Sequence, residues 1–389
     1  MVPNGWTLEP FGKLLISSNQ GVNTTTECIE YSNSGYAAIR SNNVIEGGFD
    51  FSDEKFVDEQ TFLRVSSRFK PNIGDVLYCN IGSNLGSACV NTFDQEFLIT
   101  WNVFRAVPKN DFLSSEYCAY ILNFKRLDLR RYATESTMPF ISSKVLLQYK
   151  LLVPPLDEQV KIVEILSTWD QAISATEKLL ENSQQQKKAL MQQLLTGKKR
   201  LLDENGVEFS DEWQRIELGL LLDYQQPTPY LVESTAYSNS YETPVLTAGK
   251  TFILGYTNES SGIYQDQLPV IIFDDFTTDS KYVNFPFKAK SSAMKILTAK
   301  KGVSIKFVFD AMQMLQFTVG GHQRHWISIF SNLVIPLPNI KEQQQIAEVL
   351  SLADQEIETL QKELDCLKQE KKALMQQLLT GKKRVKVAA

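Results

Sequence analysis

The chain has 389 residues, of which 43% are hydrophobic and 22% are charged, values typical of a globular protein with two or three domains. The formal net charge of −5 excludes a surface that is basic throughout, so any nucleic-acid contact must be local. The sequence has no apolar run long enough for a membrane span and no signal peptide, so we expect a cytoplasmic protein without membrane contact.

The cysteines and histidines indicate neither a disulfide framework nor a metal site. The five cysteines are scattered without short paired spacings. The two histidines, His322 and His325, lie close together without a neighbouring cluster of cysteines or carboxylates. Structural zinc sites need four ligands at characteristic spacings, so we expect no metal in this chain.

Residues 1–150 form a first variable region, in which short apolar runs are separated by turn-forming residues. Such runs predict strands when Gly, Asn and Pro bound them. A helix is predicted over residues 114–132, with basic side chains towards its C-terminal end, and the whole region is expected to be one α+β domain. The predicted strands are residues 36–40, 61–65, 75–81, 88–91 and 100–107.

A run of fourteen residues, KKALMQQLLTGKKR, occurs twice without change, at residues 187–200 and 371–384. Each copy closes a longer similar stretch, which follows the segment LLVPPL in the first case and LVIPLP in the second. A repeat at this distance predicts two similar halves.

Each repeat predicts a long helix with a narrow apolar seam, because residues at alternating spacings of three and four share one side of a helix. We expect the two helices to pair with each other; the alternative is that each packs only on its own globular region. The first seam is Ile162, Leu166, Trp169, Ile173, Thr176, Leu180, Ser183, Lys187, Leu190 and Leu194. The second seam is Ile346, Leu350, Ala353, Ile357, Leu360, Leu364, Leu367, Lys371, Leu374 and Leu378.

The ends of both helices carry capping signals. Asp157 and Asn339 are the expected N-caps, and glycines stand where a C-terminal cap belongs, at Gly197 and Gly381. A helix from residue 158 to residue 195 would measure roughly 57 Å at ~1.5 Å per residue. The lysines on the two seams are expected to fix the register of pairing at some cost in stability.

Residues 201–335 form a second variable region with strands predicted at 244–246, 252–256 and 270–273. Between residues 281 and 306 the chain has seven lysines and no acidic residue. The second half therefore repeats the order of the first, a globular region and then a long helix. The predicted segments are residues 1–150, 151–200, 201–335 and 336–384, with a tail at 385–389.

No recognisable set of catalytic residues is present in the sequence. Residues 247–251, TAGKT, are like the end of a phosphate-binding loop, but Pro244 stands where that loop needs its first glycine. Asp274, Asp275 and Asp279 have the chemistry of magnesium ligands. Neighbouring residues of a strand point to opposite faces, however, so a role in a turn is the better interpretation of these carboxylates.

The combination of duplicated helices, proline-containing approaches and divergent globular regions resembles the specificity subunit of type I restriction–modification enzymes over essentially the whole chain. The matching stretches are LLVPPLDEQ, IPLPNIKEQ, LMQQLLTGKKR, GDVLYCNIGS, LITWNVFRAV, YETPVLTAGKTFILGYTNE and VIIFDDFTT. The resemblance implies an α+β fold, in which two globular α/β target-recognition domains are separated by two long helices. These would form an antiparallel coiled coil and relate the halves as a pseudo-twofold repeat.

The resemblance also implies a function without catalysis in this chain. Each domain would read one half of an asymmetric bipartite site in double-stranded DNA, while the coiled coil sets the spacing and docks two methylation subunits. Two restriction subunits are possible further partners. The cofactors would belong to those partners, S-adenosylmethionine to the methylation subunits and ATP with magnesium to the restriction subunits.

Candidate DNA contacts are basic and polar residues in loops, since Arg and Gln pair with base edges while lysines and hydroxyls more often hold phosphates. We expect Arg324 with Gln323 to read bases; for every candidate the alternative is an ordinary solvated side chain. The candidates of the first domain are Ser83, Asn84, Arg130, Arg131, Thr134, Ser136, Thr137 and Ser142. Those of the second are Lys250, Thr277, Thr278, Lys281, Lys290, Ser291, Ser292, Lys295, His322, Gln323 and Arg324.

Two other classes of function remain open. A stand-alone DNA-binding regulator with a coiled-coil spacer would bind its site tightly without a methylation subunit. A structural coiled-coil adaptor would bind no DNA in any combination of partners, and it leaves the two divergent domains without a purpose.

Overall fold

The computed structural model describes residues 2–249, 251–315, 326 and 329–386. Its contacts divide the chain into two compact units, Met1–Ala175 with Leu364–Ala389, and Thr176–Glu363. We call them the first unit and the second unit. Each takes one variable region and a part of both long helices, while the segment boundaries at residues 150, 200 and 335 remain predictions. The helices are α1 (Glu59–Phe69), α2 (Ser115–Phe124), α3 (Arg126–Arg130), α4 (Ser143–Gln148), α5 (Leu156–Leu194), α6 (Leu218–Leu221), α7 (Ile305–Gln313) and α8 (Ile340–Leu378).

The first unit is built on a four-stranded antiparallel sheet in the order β2-β10-β7-β8. A three-stranded sheet, β6-β3-β9, contains one parallel pair, β3 with β9, and β1 pairs with β11 directly before α5. A short hairpin formed by β4 and β5 is the last of the strand pairings in the first unit. The strands are β1 (Thr7–Pro10), β2 (Leu15–Gln20), β3 (Tyr36–Ile39), β4 (Val44–Ile45), β5 (Gly48–Phe49), β6 (Phe56–Val57), β7 (Val76–Cys79), β8 (Ala88–Val90), β9 (Phe97–Ile99), β10 (Val103–Pro108) and β11 (Lys150–Val153).

The second unit repeats the topology of the three other sheets, while the β4–β5 hairpin has no counterpart among its described strands. Its four-stranded sheet has the order β13-β19-β16-β17, its three-stranded sheet β15-β14-β18 again contains one parallel pair, and β12 pairs with β20 directly before α8. The two globular regions therefore have one fold although their sequences differ. The strands are β12 (Gln214–Glu217), β13 (Leu222–Gln225), β14 (Thr243–Leu246), β15 (Ile253–Thr257), β16 (Val270–Asp274), β17 (Ser280–Val283), β18 (Lys288–Ala289), β19 (Met294–Ala299) and β20 (Val334–Leu337).

The strand predicted at residues 61–65 is wrong, because these residues lie in α1. Asp58 caps this helix by accepting a hydrogen bond from Thr61 N at 2.7 Å. Phe62 and Val65 are buried while Leu63 is 65% exposed, which is the spacing of a helical face rather than of a strand. The local pattern misled because five residues are too few to separate the two periods.

The helix predicted over residues 114–132 is present but interrupted. It begins as expected, with Ser114 accepting from Tyr117 N at 3.1 Å. It then divides into α2 and α3 at Lys125, whose φ and ψ of −84° and 3° are not helical. Basic side chains still gather at the end of α3, where Arg130 and Arg131 lie.

The core of each unit joins its sheet to both long helices. In the first unit Ile162 and Leu166 of α5 and Leu378 of α8 pack in the same apolar cluster as the central strands. In the second unit Leu194 of α5 and Leu350 of α8 do the same. The helices therefore pack on the globular regions and also on each other, so the alternative that each helix packs only on its own globular region is wrong.

Cross-helix ion pairs show that α5 and α8 run antiparallel within each unit, because the pairs follow opposite chain order on the two sides. The pairs are Glu158 with Arg384 and Asp170 with Lys371 in the first unit, and Glu342 with Arg200 and Asp354 with Lys187 in the second. In the first unit Lys371 Nζ lies 2.5 Å from Asp170 Oδ1. In the second unit Lys187 Nζ lies 2.5 Å from Asp354 Oδ1. Both lysines occupy seam positions, so each finds a carboxylate on the partner helix. Every predicted seam residue is buried or half-buried.

One predicted N-cap is confirmed and the other is wrong. The Asn339 side chain accepts from Glu342 N at 3.0 Å and caps α8. Asp157 lies inside the first turn of α5, which begins at Leu156, and the first backbone hydrogen bond runs from Gln159 N to Pro155 O. The rigid proline φ suits the start of a helix, so α5 starts two residues earlier than its acidic signal indicated.

Both predicted C-terminal glycines take the left-handed conformation that ends a helix. Gly197 has a φ of +71° and Gly381 a φ of +67°. Two residues later the chain folds back on the last turn, with Lys199 N donating to Gln193 O at 3.1 Å. A side chain other than glycine would be strained at this φ.

A buried carboxylate fixes the end of the helix pair in the first unit. Arg384, in the last residues of the repeat, donates from Nε to Glu158 Oε2 over 2.8 Å. Trp6 Nε1 donates to the same oxygen over 3.3 Å. The Arg384 guanidinium holds the pKa of Glu158 below its usual range. The chain thus connects its first and last segments through one charged group on α5.

The second unit has the same three side chains in the same roles. Arg200 donates to the two oxygens of Glu342 over 2.6 and 2.8 Å, and Trp213 Nε1 donates to Glu342 over 3.2 Å. The exposed fraction of Glu342 is 0%. A buried carboxylate is stable in its ionised form when charged and hydrogen-bonding partners surround it, as Arg200 and Trp213 do here. The duplication therefore repeats a specific buried contact as well as a helix.

Candidate nucleic-acid interface

The hairpin after the central strand carries predicted DNA-binding residues in both units. In the first unit it joins β7 to β8 and contains Ser83 and Asn84; in the second it joins β16 to β17 and contains Thr277 and Thr278. Because the two sheets have the same strand order, these hairpins are equivalent. Sequence analysis selected the two pairs independently, and the topology puts them at one position of the shared fold.

In the first unit this hairpin contacts the segment that follows α3. Arg130 Nη2 donates to Ser83 O over 3.1 Å, and Gly82 N donates to Pro139 O over 3.0 Å. Gly82 adopts a φ of +98°, which glycine tolerates without strain. The structure therefore brings the hairpin, the end of α3 and the polar segment 134–142 together.

Some predicted residues of the first unit use their side chains inside the fold. The Asn84 amide donates to Val44 O over 3.2 Å, Ser142 caps α4 by accepting from Val145 N, and Thr134 Oγ1 accepts from Phe140 N over 3.2 Å. These contacts shape the loops that present the other candidates. The exposed candidates are Ser83, Arg130, Arg131, Thr134, Ser136 and Thr137.

In the second unit the hairpin is a turn organised by a carboxylate. Asp274 Oδ1 accepts from Phe276 N at 2.8 Å and from Thr277 N at 2.9 Å. Thr278 takes a φ of +64°, a strained conformation for a β-branched residue. The turn role expected for Asp274 is confirmed, and Thr277 is presented at the exposed tip.

A second group of candidates in this unit lies between β18 and β19. Lys290, Ser291 and Ser292 occupy this loop, and Ala293 O accepts from Asp275 N of the hairpin over 3.2 Å. Lys290 Nζ also lies 5.8 Å above the Tyr237 ring. The two groups of candidates therefore share one surface of the second unit. Lys281 lies on the neighbouring strand β17, half-exposed.

The assignment of Lys295 as a DNA contact is wrong. Its exposed fraction is 1%, and its Nζ lies 3.2 Å from Asp275 Oδ2, which is equally buried. Asp275 Oδ1 also accepts from Trp326 N over 3.0 Å. Lys295 therefore stabilises the interior beneath the hairpin, and its position in a lysine-rich run gave no sign of this.

Four predicted residues, Lys250, His322, Gln323 and Arg324, lie outside the described residues, so their assignments stay predictions. The segment around Lys250 is bounded by a turn, with Thr247 Oγ1 donating to Thr251 O over 2.6 Å. This contact agrees with the interpretation of the segment as a turn for its described residues, 247–249 and 251. Residues 322–324 follow α7 along the chain, as the segment 134–142 follows α2 and α3.

Two loops of the first unit were missed by the sequence analysis. Thr100 N donates to Ile39 O over 2.9 Å, as Lys290 N donates to Leu246 O over 3.0 Å in the second unit. Residues 100–102 are therefore the counterpart of the loop at Lys290, and residues 40–43 the counterpart of the segment 247–251. No charge cluster marks these loops in the sequence; only the strand pairing identifies them.

Two further features, a metal site and a membrane span, are absent among the described residues. Within them, no group of three His, Cys, Asp or Glu side chains is arranged to hold a metal ion. No helix of the described ranges combines the length and the apolar character that a membrane span requires. Polar loops lie at equivalent positions of the two similar units.

Known proteins with similar sequences belong to one family. The sequence matches the family described as type I restriction modification DNA specificity domain twice, at residues 19–183 and 210–369. The specificity subunit of the Escherichia coli type I restriction enzymes EcoR124I/EcoR124II is 53% identical over 144 residues, which are 36% of this chain and 34% of that protein. The MjaVIII specificity subunit of Methanocaldococcus jannaschii is 24% identical over 405 residues, covering 92% of this chain and 91% of that protein.

Solved structures are similar in fold. A type I restriction–modification S subunit from M. genitalium has a TM-score of 0.67 at 15% identity, covering 100% of this chain and 97% of that one. A chain from a study of complex assembly in the type I restriction–modification system has a TM-score of 0.55 at 14% identity, covering 97% of this chain and 98% of that one. Since the two family matches cover most of the sequence, the chain belongs to the family of type I restriction modification DNA specificity domains.

Proposed function

We propose that this chain is the DNA-recognition subunit of a type I restriction–modification complex, and that each unit reads one half of an asymmetric bipartite site. The observation that carries this proposal is the repetition of one topology with different loops. A shared scaffold gives both units the same mode of approach to DNA. Different loop side chains then give each unit its own sequence preference.

The chemistry of the loops supports two different half-sites. The first unit presents Arg130 and Ser83 beside an exposed Trp101, whereas the second presents Thr277 and the Lys290 loop. Base edges are distinguished by the pattern of donors, acceptors and methyl groups that a protein offers. Two surfaces that differ in every one of these positions are suited to different bases.

The long helices are suited to spacing and docking. Each is 39 residues long, with a seam that is buried or half-buried. Val160, Leu179 and Leu352 nevertheless leave large apolar side chains exposed on them, by 52%, 54% and 60%. Single exposed apolar residues are normal on a protein surface, so the support for docking is the length of the helices and not these three side chains. We assign these helices to two methylation subunits, with two restriction subunits joining the larger assembly.

The proposal places all catalysis in the partner subunits. They would bring S-adenosylmethionine, ATP and magnesium, and this chain would bring the choice of site, in the cytoplasm where the genome is accessible. A net charge of −5 supplies few phosphate contacts, so affinity would depend on the assembled complex.

The test is to express the chain with its methylation subunit and to map adenine methylation in the host DNA. The expected result is a bipartite motif with two unlike halves and a gap of fixed length. Tight binding of a specific site by the chain alone would instead favour a stand-alone regulator. No sequence-dependent binding with or without the partner would contradict the proposal.

A further inference from the structure

A polar cleft in the first unit lies between the two loops that sequence analysis missed. Its volume is about 200 Å³, and residues 40–42 form one wall while residues 100–102 form the other. Thr24 and Tyr31 complete the lining. The hairpin at Ser83 is adjacent, since Asn84 Nδ2 donates to Asn42 O over 3.4 Å. The cleft is therefore continuous with the candidate interface.

The two walls are held in place by contacts within the fold. At the base of the cleft, both the backbone N and the Oγ1 of Thr100 donate to Ile39 O, over 2.9 and 3.0 Å. The Gln20 side chain donates to Trp101 O and, over 2.8 Å, to Asn80 Oδ1. A site that is fixed before its ligand arrives loses less entropy on binding.

Arg40 is the one charged residue that lines the cleft, and the two N–H donors of its Nη2 are already used. Its Nη2 donates to Asp53 O over 2.7 Å and to the Asp53 carboxylate over 2.8 Å. Its Nε is buried and has no hydrogen-bond partner, and Nη1 has none within the described ranges either. Asp53 therefore orients a guanidinium whose Nη1 remains available to a ligand, while Nε is enclosed by the protein.

We propose that this cleft reads one guanine of the half-site that belongs to the first unit. In the major groove guanine offers two neighbouring acceptors, N7 and O6, and an arginine is their commonest partner. The Nη1 nitrogen of Arg40 carries two hydrogens for these acceptors. On the opposite wall the Asn102 amide supplies a further donor, and the exposed Trp101 ring supplies apolar contact.

The charge of the cleft favours a base over a phosphate. Asp53 lies against Arg40, and its hydrogen bond with that guanidinium holds the pKa of the Asp53 carboxyl below its usual range. The carboxylate is thus ionised at neutral pH and offsets the arginine charge. A phosphate would approach both charges at once, whereas a neutral base edge meets only the donors.

The inference rests on the proposed function, and its test uses the whole chain with its methylation subunit. Methylated motifs are mapped for the unaltered chain, Arg40→Gln, Asn102→Ala and the control Arg64→Gln. Arg64 is an exposed arginine of α1 that pairs with Glu27 and does not line the cleft. Arg40→Gln also removes the contacts between Arg40 and Asp53 and could loosen the loop. Asn102→Ala keeps these contacts, so it tests the cleft without that change.

We expect Arg40→Gln to lower the preference for guanine at one position of one half-site by about 10-fold or more. Asn102→Ala should relax the same or the neighbouring position, while the other half-site and the Arg64→Gln motif stay unchanged. A uniform loss of methylation at all sites would identify a phosphate contact and overturn the inference. Unchanged motifs for both cleft variants would overturn it as well. No motif for the unaltered chain would contradict the proposed function itself.

Discussion

Asp170 and Lys371 are 201 positions apart in the sequence, yet Lys371 Nζ lies 2.5 Å from Asp170 Oδ1 between α5 and α8. Tyr120 of α2 donates to the second oxygen of Asp170 over 2.6 Å. A single carboxylate thus connects both helices to the globular part of the first unit. A seam lysine that finds such a partner sets the register of the helix pair, since a slip of one turn would leave its charge unpaired.

Asp170→Ala is expected to lower the free energy of unfolding by about 1–3 kcal/mol, because it removes the acceptor of the Tyr120 hydroxyl and the nearer carboxylate partner of Lys371. The Lys371 ammonium then retains the Glu46 carboxylate, whose Oε1 lies 3.9 Å away. Adding Lys371→Met should recover part of that loss, since the charge that has lost its nearer partner is then removed. The measurement is urea unfolding of the single and double variants. Strictly additive effects of the two changes would show that the pair does not couple the helices.

The pH dependence of stability should report the contact between Glu158 and Arg384. The folded chain holds the pKa of Glu158 below its ordinary value of 4.5, so this carboxylate contributes stability above that pH. The contribution is lost as the pH falls through the lower folded pKa. Glu158→Gln should therefore be less stable than the unaltered chain at neutral pH, and the difference should shrink below pH 4.5. A difference that is constant with pH would exclude this ionised contact as its source.

Substitution of Lys295 by Met should affect folding stability, whereas the same substitution of Lys290 should affect DNA binding. Lys295→Met leaves the buried Asp275 carboxylate without its ammonium partner and is expected to cost about 3–5 kcal/mol of folding stability. Lys290→Met, on the half-exposed loop, should leave stability within about 0.5 kcal/mol and should weaken DNA binding by the assembled complex. Thermal unfolding and DNA titration of both variants separate the two roles. Equal melting temperatures would contradict the structural role of Lys295.

An insertion in the long helices tests their role in spacing. Four residues added to α5 lengthen it by ~6 Å, and the same insertion in α8 preserves the pairing of the seams. The unread gap of the methylated motif should then grow by one or two base pairs, at ~3.4 Å per base pair. The half-sites should not change. A gap of unchanged length would show that the helices do not set the spacing.

The long helices could be predicted from the sequence because their signals are local and repeated. An exact duplication, an apolar stripe and terminal glycines agree with one another, and the structure places Asn339, Gly197 and Gly381 at the predicted ends. The start of α5 was placed two residues late because Asp157 is a stronger side-chain capping signal than the proline that precedes the helix. Where several local preferences agree, a long helix is the most reliable inference from sequence.

The candidate interface was harder to predict, because it depends on which strands pair. Trp101 and Arg40 are far from the hairpin at Ser83 in sequence, and only the pairing of β3 with β9 brings their loops together. The assignment of Lys295 as a DNA contact was wrong for a related reason. The lysines near it in sequence indicated a charged surface, whereas Lys295 is buried and pairs with Asp275. Long-range pairing determines both outcomes, and no local pattern of residues encodes it.

The central claim is that the two units read DNA independently, and an exchange of one recognition region tests it most directly. Residues 1–150 would be replaced by the equivalent region of a relative with a different target, and methylation would be mapped with the same methylation subunit. The account predicts a hybrid motif in which one half changes and the other half and the gap stay as they were. A change in both halves, or in neither, would contradict it.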